Sequence, residues 1–160
     1  MYKIRLNFNY AYNWHNKNNI YVKGYIFDKN NNLLIEEKLT SYFENITNEN
    51  EFKDKLIDAN GIFSVIIEYG DDLYIGVDRL RTFPVFYIQH NNTLYISDDT
   101  YYLKNKFNCK IDEFSSKEFL FTGYAIGKNT LIQDIYQVQA GEYLAFKDNK
   151  LKTKFYSDYI

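Results

Sequence analysis

From Ile62 to Tyr69 the chain reads Ile-Phe-Ser-Val-Ile-Ile-Glu-Tyr, an apolar run rich in β-branched residues. A strand with one face in water alternates apolar and polar residues. A nearly unbroken run needs cover on both faces, so this segment reads as the central strand of a sheet with packing layers above and below. Its surroundings agree. Lys3 to Phe8 and Ile20 to Phe27 carry apolar or aromatic side chains at every second position, the period of strands buried on one face. Asn13 to Asn19 and Asp28 to Asn32 have turn chemistry, and a short strand is predicted at Leu33 to Lys38. Gly70-Asp71-Asp72 turns the central run back into Leu73 to Val77. Val85 to Gln89 and Thr93 to Ser97 flank His90-Asn91-Asn92, and Glu142 to Phe146 pairs with Leu151 to Phe155 across Asp148-Asn149. Successive hairpins make the pairing antiparallel.

Three short helices are predicted among these strands. Asn48 followed by Glu51 is a capping pair ahead of Phe52, Leu56 and Ile57 at helical spacing, with Gly61 closing the segment. Ser97-Asp98-Asp99 caps a helix through about Phe107. Ser115-Ser116-Lys117-Glu118 is a capping box for a helix through Phe121 that ends before Gly123. The pattern is α+β, mostly antiparallel sheets flanked by short helices.

At 160 residues the chain is long enough for one domain, and 46% hydrophobic with a net charge of −2 it lies far from the disordered regime. No repeat or Pro- or Gly/Ser-rich linker divides it. Aromatics make up 19% of the residues, so much of the core must be rings. The Tyr and Asn surplus reads more simply as codon bias than as a ligand-stacking surface. With no sustained basic stripe, nucleic acid is not the expected partner. Met1 to Leu6 alternates charged with apolar residues, which argues against a signal peptide or membrane span and for a cytoplasmic protein. A lone Cys109 excludes an intrachain disulfide and a Cys-rich zinc site, and reads as packing. His15 and His90 are a weak metal signal, so no metal site is expected. The sequons at Asn45 and Asn91 would matter only in a secreted chain.

Five segments carry a family pattern in order: Gly61-Ile62-Phe63-Ser64-Val65; Val77-Asp78-Arg79-Leu80 through Pro84-Val85-Phe86-Tyr87; Leu94-Tyr95-Ile96-Ser97-Asp98-Asp99; Phe119 to Tyr124; and Thr130-Leu131 to Ile135 with Gln139-Ala140-Gly141-Glu142-Tyr143-Leu144. Together, over roughly residues 60 to 156, they resemble the amino-terminal class II glutamine amidotransferase-like domain of the asparagine synthetase family. The resemblance implies an Ntn-type αββα sandwich, a single amidotransferase-like domain over 1–160, and a ligase domain outside this chain. Tyr156 to Ile160 stop directly after a strand, about where the family's first domain ends.

Active members of that family attack glutamine with a cysteine that follows the initiator Met, using its free α-amine as base. Here that position is Tyr2, a phenol with an ordinary pKa of about 10, and a bulky second residue is expected to leave Met1 in place. The family's Asn-Gly oxyanion pair is matched best by Lys23 and Gly24. Lys23 reads otherwise as a cation on a solvated strand face, with filling of the vacated pocket as the rival. The family's Arg-His-Arg-Gly-Pro and Ser-Asp-Glu segments, which hold the glutamine carboxylate and amine, have no counterpart before Gly61. Asp78, Arg79, Arg81 and Pro84 read as a structural loop. The family's glycine there is Arg81, so a different turn is expected. Asp98 and Asp99 read as an N-cap and a first-turn acid rather than metal ligands.

The expected function is therefore a catalytically silent, pseudoenzyme amidotransferase-like domain supporting an asparagine-synthetase-type ligase domain in cis or trans. No cofactor is expected here, with ATP and Mg confined to the ligase, and a homodimer remains open as its assembly. Two alternatives stand beside it: a working glutaminase with rearranged residues, and an aromatic-rich module that binds a sugar or another small planar molecule.

Overall fold

The computed structural model describes residues 1–7 and 12–157. Two sheets face each other. The larger has seven strands: β2 (His15–Lys17), β3 (Ile20–Phe27), β4 (Leu33–Ile35), β5 (Asn60–Tyr69), β6 (Asp72–Val77), β10 (Glu142–Lys147) and β11 (Lys150–Phe155). Its order is β11-β10-β6-β5-β3-β2, with β4 also paired to β3. The smaller contains β1 (Tyr2–Arg5), β7 (Phe86–His90), β8 (Thr93–Ser97) and β9 (Tyr136–Gln137), in the order β1-β8-β7-β9. Helices α1 (Glu36–Tyr42) and α2 (Glu49–Asp58) belong to the larger sheet's side, whereas α3 (Thr100–Phe107) and α4 (Glu113–Thr122) follow β8.

Period-2 alternation assigns each side chain to a layer. On β6, Leu73, Ile75 and Val77 point between the sheets, where they meet Tyr87 of β7 and Leu94 and Ile96 of β8. Tyr74 points outward to Phe52 and Leu56 of α2 and to Leu39 and Phe43 of the α1 segment. The alternate residues of the smaller sheet, Phe86, Ile88 and Tyr95, pack with Leu103 and Phe107 of α3. The result is the expected order of helix, sheet, sheet and helix. As its sequence demands, β5 is covered on both faces: Val65 and Ile67 join the α1/α2 layer, and Ile66 joins the intersheet core.

Four elements differ from expectation. The Asn13 to Asn19 stretch, read as a turn, holds the short strand β2, paired antiparallel to β3. Leu33 to Lys38 is not one strand, because β4 ends at Ile35 and the chain turns into α1 at Glu36, which takes a φ of 48°. The turn buries Leu39 and Phe43, four residues apart on one helical face. The last helix starts a turn before its Ser-Ser-Lys-Glu box, with Asp112 as N-cap accepting from the Ser115 amide, and Ser115 is itself buried. β1 joins the sheet parallel to β8, from Tyr2 opposite Leu94 to Arg5 opposite Ser97, an isolated parallel pair in otherwise antiparallel sheets. Phe8, at the end of the expected first strand, and residues 158–160 of the expected terminal stretch lie outside the described residues. No helix among the described residues is long and apolar enough to cross a membrane.

Candidate functional site

The outer edge of β3 changes partner in its middle. β2 pairs with it as far as Val22, β4 takes over from Tyr25, and Lys23 and Gly24 are left in the gap. Gly24 suits that position because its φ is 98°, and a Cβ there would lie 2.1 Å from the Ile62 carbonyl oxygen and 2.7 Å from the Phe83 ring. A cleft of about 290 Å³ opens beside it, lined among others by Tyr12, Trp14, His15, Ile35 and Glu36. No Cys, Ser or Thr stands among the residues lining it.

Lys23 is not on a solvated face. It is 8% exposed, because β3 is covered on its second side by the intersheet layer that also takes Tyr21. Its ammonium lies 3.7 Å from Asp98 and near the rings of Trp14 and Phe83, whose centroids are 5.7 and 5.6 Å away. Tyr12 stacks obliquely on Phe83. Asp98 also accepts from the Trp14 indole N–H at 2.9 Å and from the Asn7 amide at 2.9 Å. The two adjacent aspartates thus divide their work differently from expectation. Asp99 alone caps α3, through the amides of Tyr101 and Tyr102, while Asp98 turns inward as the counter-ion of Lys23.

Tyr2 is elsewhere. Its ring packs edge-on against Phe146 and its hydroxyl faces the Gly70 carbonyl, in the turn after β5. Gly24 pairs with Phe63, seven residues from Gly70 along β5, a distance of roughly 20 Å at the rise of an extended strand. The structure therefore does not bring Tyr2 to Lys23 and Gly24, and the end of β1 that approaches them is the Asn7 end. Burial first, then the Glu68 carboxylate, pushes the Tyr2 phenol up to about 12. The Met1 amine is hydrogen-bonded to the Asn149 side chain. Nothing there activates a nucleophile.

Asp78, 1% exposed, organises the loop after β6. Its carboxylate accepts from the amides of Phe63, Leu80 and Thr82 and from the Thr82 hydroxyl. Arg79 donates to the carbonyls of Ile57 and Ala59 at the end of α2. The Ser64 hydroxyl donates to the Phe83 carbonyl, just before the exposed Pro84. Arg81 corrects the expectation of a different turn: it keeps a left-handed φ of 54°, its amide bonded to the Asp78 carbonyl at 3.0 Å. Burial holds its guanidinium below the ordinary arginine range.

A non-glycine residue pays about 1–2 kcal/mol in this conformation, and glycine returns up to about 1 kcal/mol of that as unfolded-state entropy. Arg81→Gly is therefore expected to raise stability by about 0.5 kcal/mol and Arg81→Val to lower it by more than about 1 kcal/mol. Urea midpoints measure both, and a marked loss on Arg81→Gly would show that burial of the arginine side chain dominates.

A larger cavity of about 810 Å³ is lined in part by His90, Cys109, Lys128, Asp134 and Tyr136. Burial and the Asp134 charge push the Cys109 thiol up, the reverse of what an activated nucleophile needs. Among the described residues no cluster of three or more His, Cys, Asp or Glu side chains is placed to hold a metal.

Sequence reasoning named Lys23 and Gly24 but missed Trp14, Asn7, Phe83 and Asp98 as their surroundings. The one usable signal was the rarity of Trp in a chain with a single copy.

Two comparisons with known proteins bear on this arrangement. Among solved structures, the fold is similar to the glutamine phosphoribosylpyrophosphate amidotransferase of B. subtilis complexed with ADP and GMP, with a TM-score of 0.51 and 14% identity over 91% of this chain. It is also similar to a structure described as the allosteric regulatory enzyme of purine biosynthesis, with a TM-score of 0.50 and 14% identity over 92% of the chain. In both cases the match covers 31% of the other protein, so this chain spans about a third of their length. No curated protein matches the sequence. The family model of the glutamine amidotransferase domain matches residues 44–157, well over half of the chain. This chain, with its two facing sheets and its lysine-filled gap beside Gly24, belongs to the glutamine amidotransferase domain family.

Proposed function

We propose that this is a catalytically silent amidotransferase domain, one unit over 1–160, that supports an ATP-dependent, amide-forming ligase of the asparagine synthetase type in cis or in trans. Its contribution is packing and interface. ATP and Mg act in the ligase, and the setting is the cytoplasm. The observation that carries the reading is the occupied gap: the residue standing where an oxyanion donor is needed is a lysine, buried and paired to Asp98 beneath Trp14 and Phe83. The distant Tyr2, with its phenol pushed up to about 12, supports the same conclusion. The five sequence segments quoted above support the link to asparagine synthetases.

Purified protein incubated with glutamine is expected to release glutamate at the background rate only. Turnover above background that is abolished by a glutamine-derived covalent inhibitor would sink the silent reading and restore the glutaminase alternative. The ligase link is tested separately by whether the same or a neighbouring reading frame carries a Ser-Gly-Gly-x-Asp-Ser pyrophosphate loop.

A further inference from the structure

α4 and the segment after it carry some of the chain's most exposed large side chains. Phe121 is 91% exposed, Leu120 82% and Phe114 70%, with Phe119, Tyr124 and Ile126 beside them. At about 200 Å² for a fully exposed residue of this size, Phe114 and Phe121, which share one helical face, leave roughly 300 Å² of apolar surface, while Leu120 and Phe119 stand about 100° and 160° around the helix from Phe121. That area lies within the ~300–600 Å² of the largest patch on a typical monomer, so the pairing of side chains along the helix, more than area, selects the partner.

The order of side chains along the helix narrows the partner. Phe114, Lys117, Glu118 and Phe121 stand at i, i+3, i+4 and i+7, so they form one stripe. Laid antiparallel on a copy of itself about an axis midway between Lys117 and Glu118, Phe114 meets Phe121 and Lys117 meets Glu118, each contact occurring twice. Lys117 enters none of the ion pairs among the described residues. Glu118 accepts from the Ile126 amide through Oε2 and keeps its other oxygen for a partner. A net charge of −2 sets little long-range repulsion between copies.

We infer that this face is the contact between two copies of the chain, packed α4 against antiparallel α4 across a twofold axis. The inference stands apart from the fate of glutamine, so its test shares no readout with the glutaminase assay. Sedimentation equilibrium at tens of micromolar protein is expected to show a dimer. Phe121→Asp, at a site too exposed to disturb the core, should give a monomer with an unchanged circular dichroism spectrum that melts at the temperature of wild type diluted until it dissociates. Lys117→Glu and Glu118→Lys should each weaken association at least tenfold. Mixed in equal amounts, those two single variants should associate with each other more tightly than either does with itself, because one then presents two acids and the other two bases. A monomeric wild type overturns the inference, whether or not a ligase chain added separately protects α4 from hydrogen exchange. A dimer indifferent to Phe121→Asp, or a mixture no tighter than its components, overturns it as well.

Discussion

Asp78→Ala is expected to cost about 4 kcal/mol of folding stability and to lower the melting temperature by on the order of 10 °C. The carboxylate is buried and accepts from three backbone amides, those of Phe63, Leu80 and Thr82, together with the Thr82 hydroxyl. Alanine leaves those donors facing one another around a space too tight for bulk water, and each unpaired buried amide costs about 1–3 kcal/mol. Asp78→Asn keeps one acceptor oxygen and sets an NH₂ group against amides that also donate. Its loss should be intermediate, about 2 kcal/mol. Urea unfolding followed by Trp14 fluorescence would give both values, with an unchanged slope if the compactness of the end states is preserved. A loss below about 1 kcal/mol for the alanine variant would mean that the loop is held by the backbone bonds from Arg81 and Gly141 to the Asp78 carbonyl, which the substitution leaves in place.

The second large effect belongs to Lys23. Lys23→Met removes the cation and leaves Asp98 buried with two neutral donors, Trp14 and Asn7. Breaking one side of a buried pair costs about 3–5 kcal/mol, much of it from the stranded charge. Asp98→Asn should cost a similar amount, because it neutralises the counter-ion of the ammonium and sets an amide against the Trp14 N–H or the Asn7 amide. The double variant should then be more stable than the sum of the single losses predicts, by at least about 1 kcal/mol, since no charge remains to be stranded. Strictly additive losses would show that the 3.7 Å pair contributes nothing. Lys23→Asn is not expected to release glutamate from glutamine, because Tyr2 stays at the far end of β5.

The longer strands were legible because each carried its own local signal, whereas β2 and β9, at three and two residues, carried none. Ile62 to Tyr69 declared two buried faces, and Asp148-Asn149 and Asn91-Asn92 sit at left-handed φ in the turns where they were read. What escaped was set by contacts distant in sequence. Glu36 enters α1 through a backbone conformation that glutamate does not favour, so nothing local distinguishes Leu33 to Lys38 from a continuing strand. Lys23 looks like any cation in an alternating strand until the second sheet is laid over it. Asp98 and Asp99 are interchangeable as letters; which one caps the helix and which one turns inward is decided by Trp14 and Lys23, some 75 to 85 residues earlier. The extra turn of α4 was hidden by a competing box: Asp112 and Ser115 both suit an N-cap, and Ser115 goes instead to the buried face.

The parallel pairing of β1 with β8 bears on how the chain is made. Tyr2 finds its neighbour at Leu94, so β1 must wait for residues made more than ninety positions later. At synthesis rates of about 5–20 residues per second, that is roughly 5–20 s during which Tyr2 and Ile4 have no sheet to join. The Asn7 contact to Asp98 waits as long. The seven-stranded sheet can gather most of its strands from near neighbours in the meantime, and β1 is the segment most open to a chaperone or to pairing with the wrong edge.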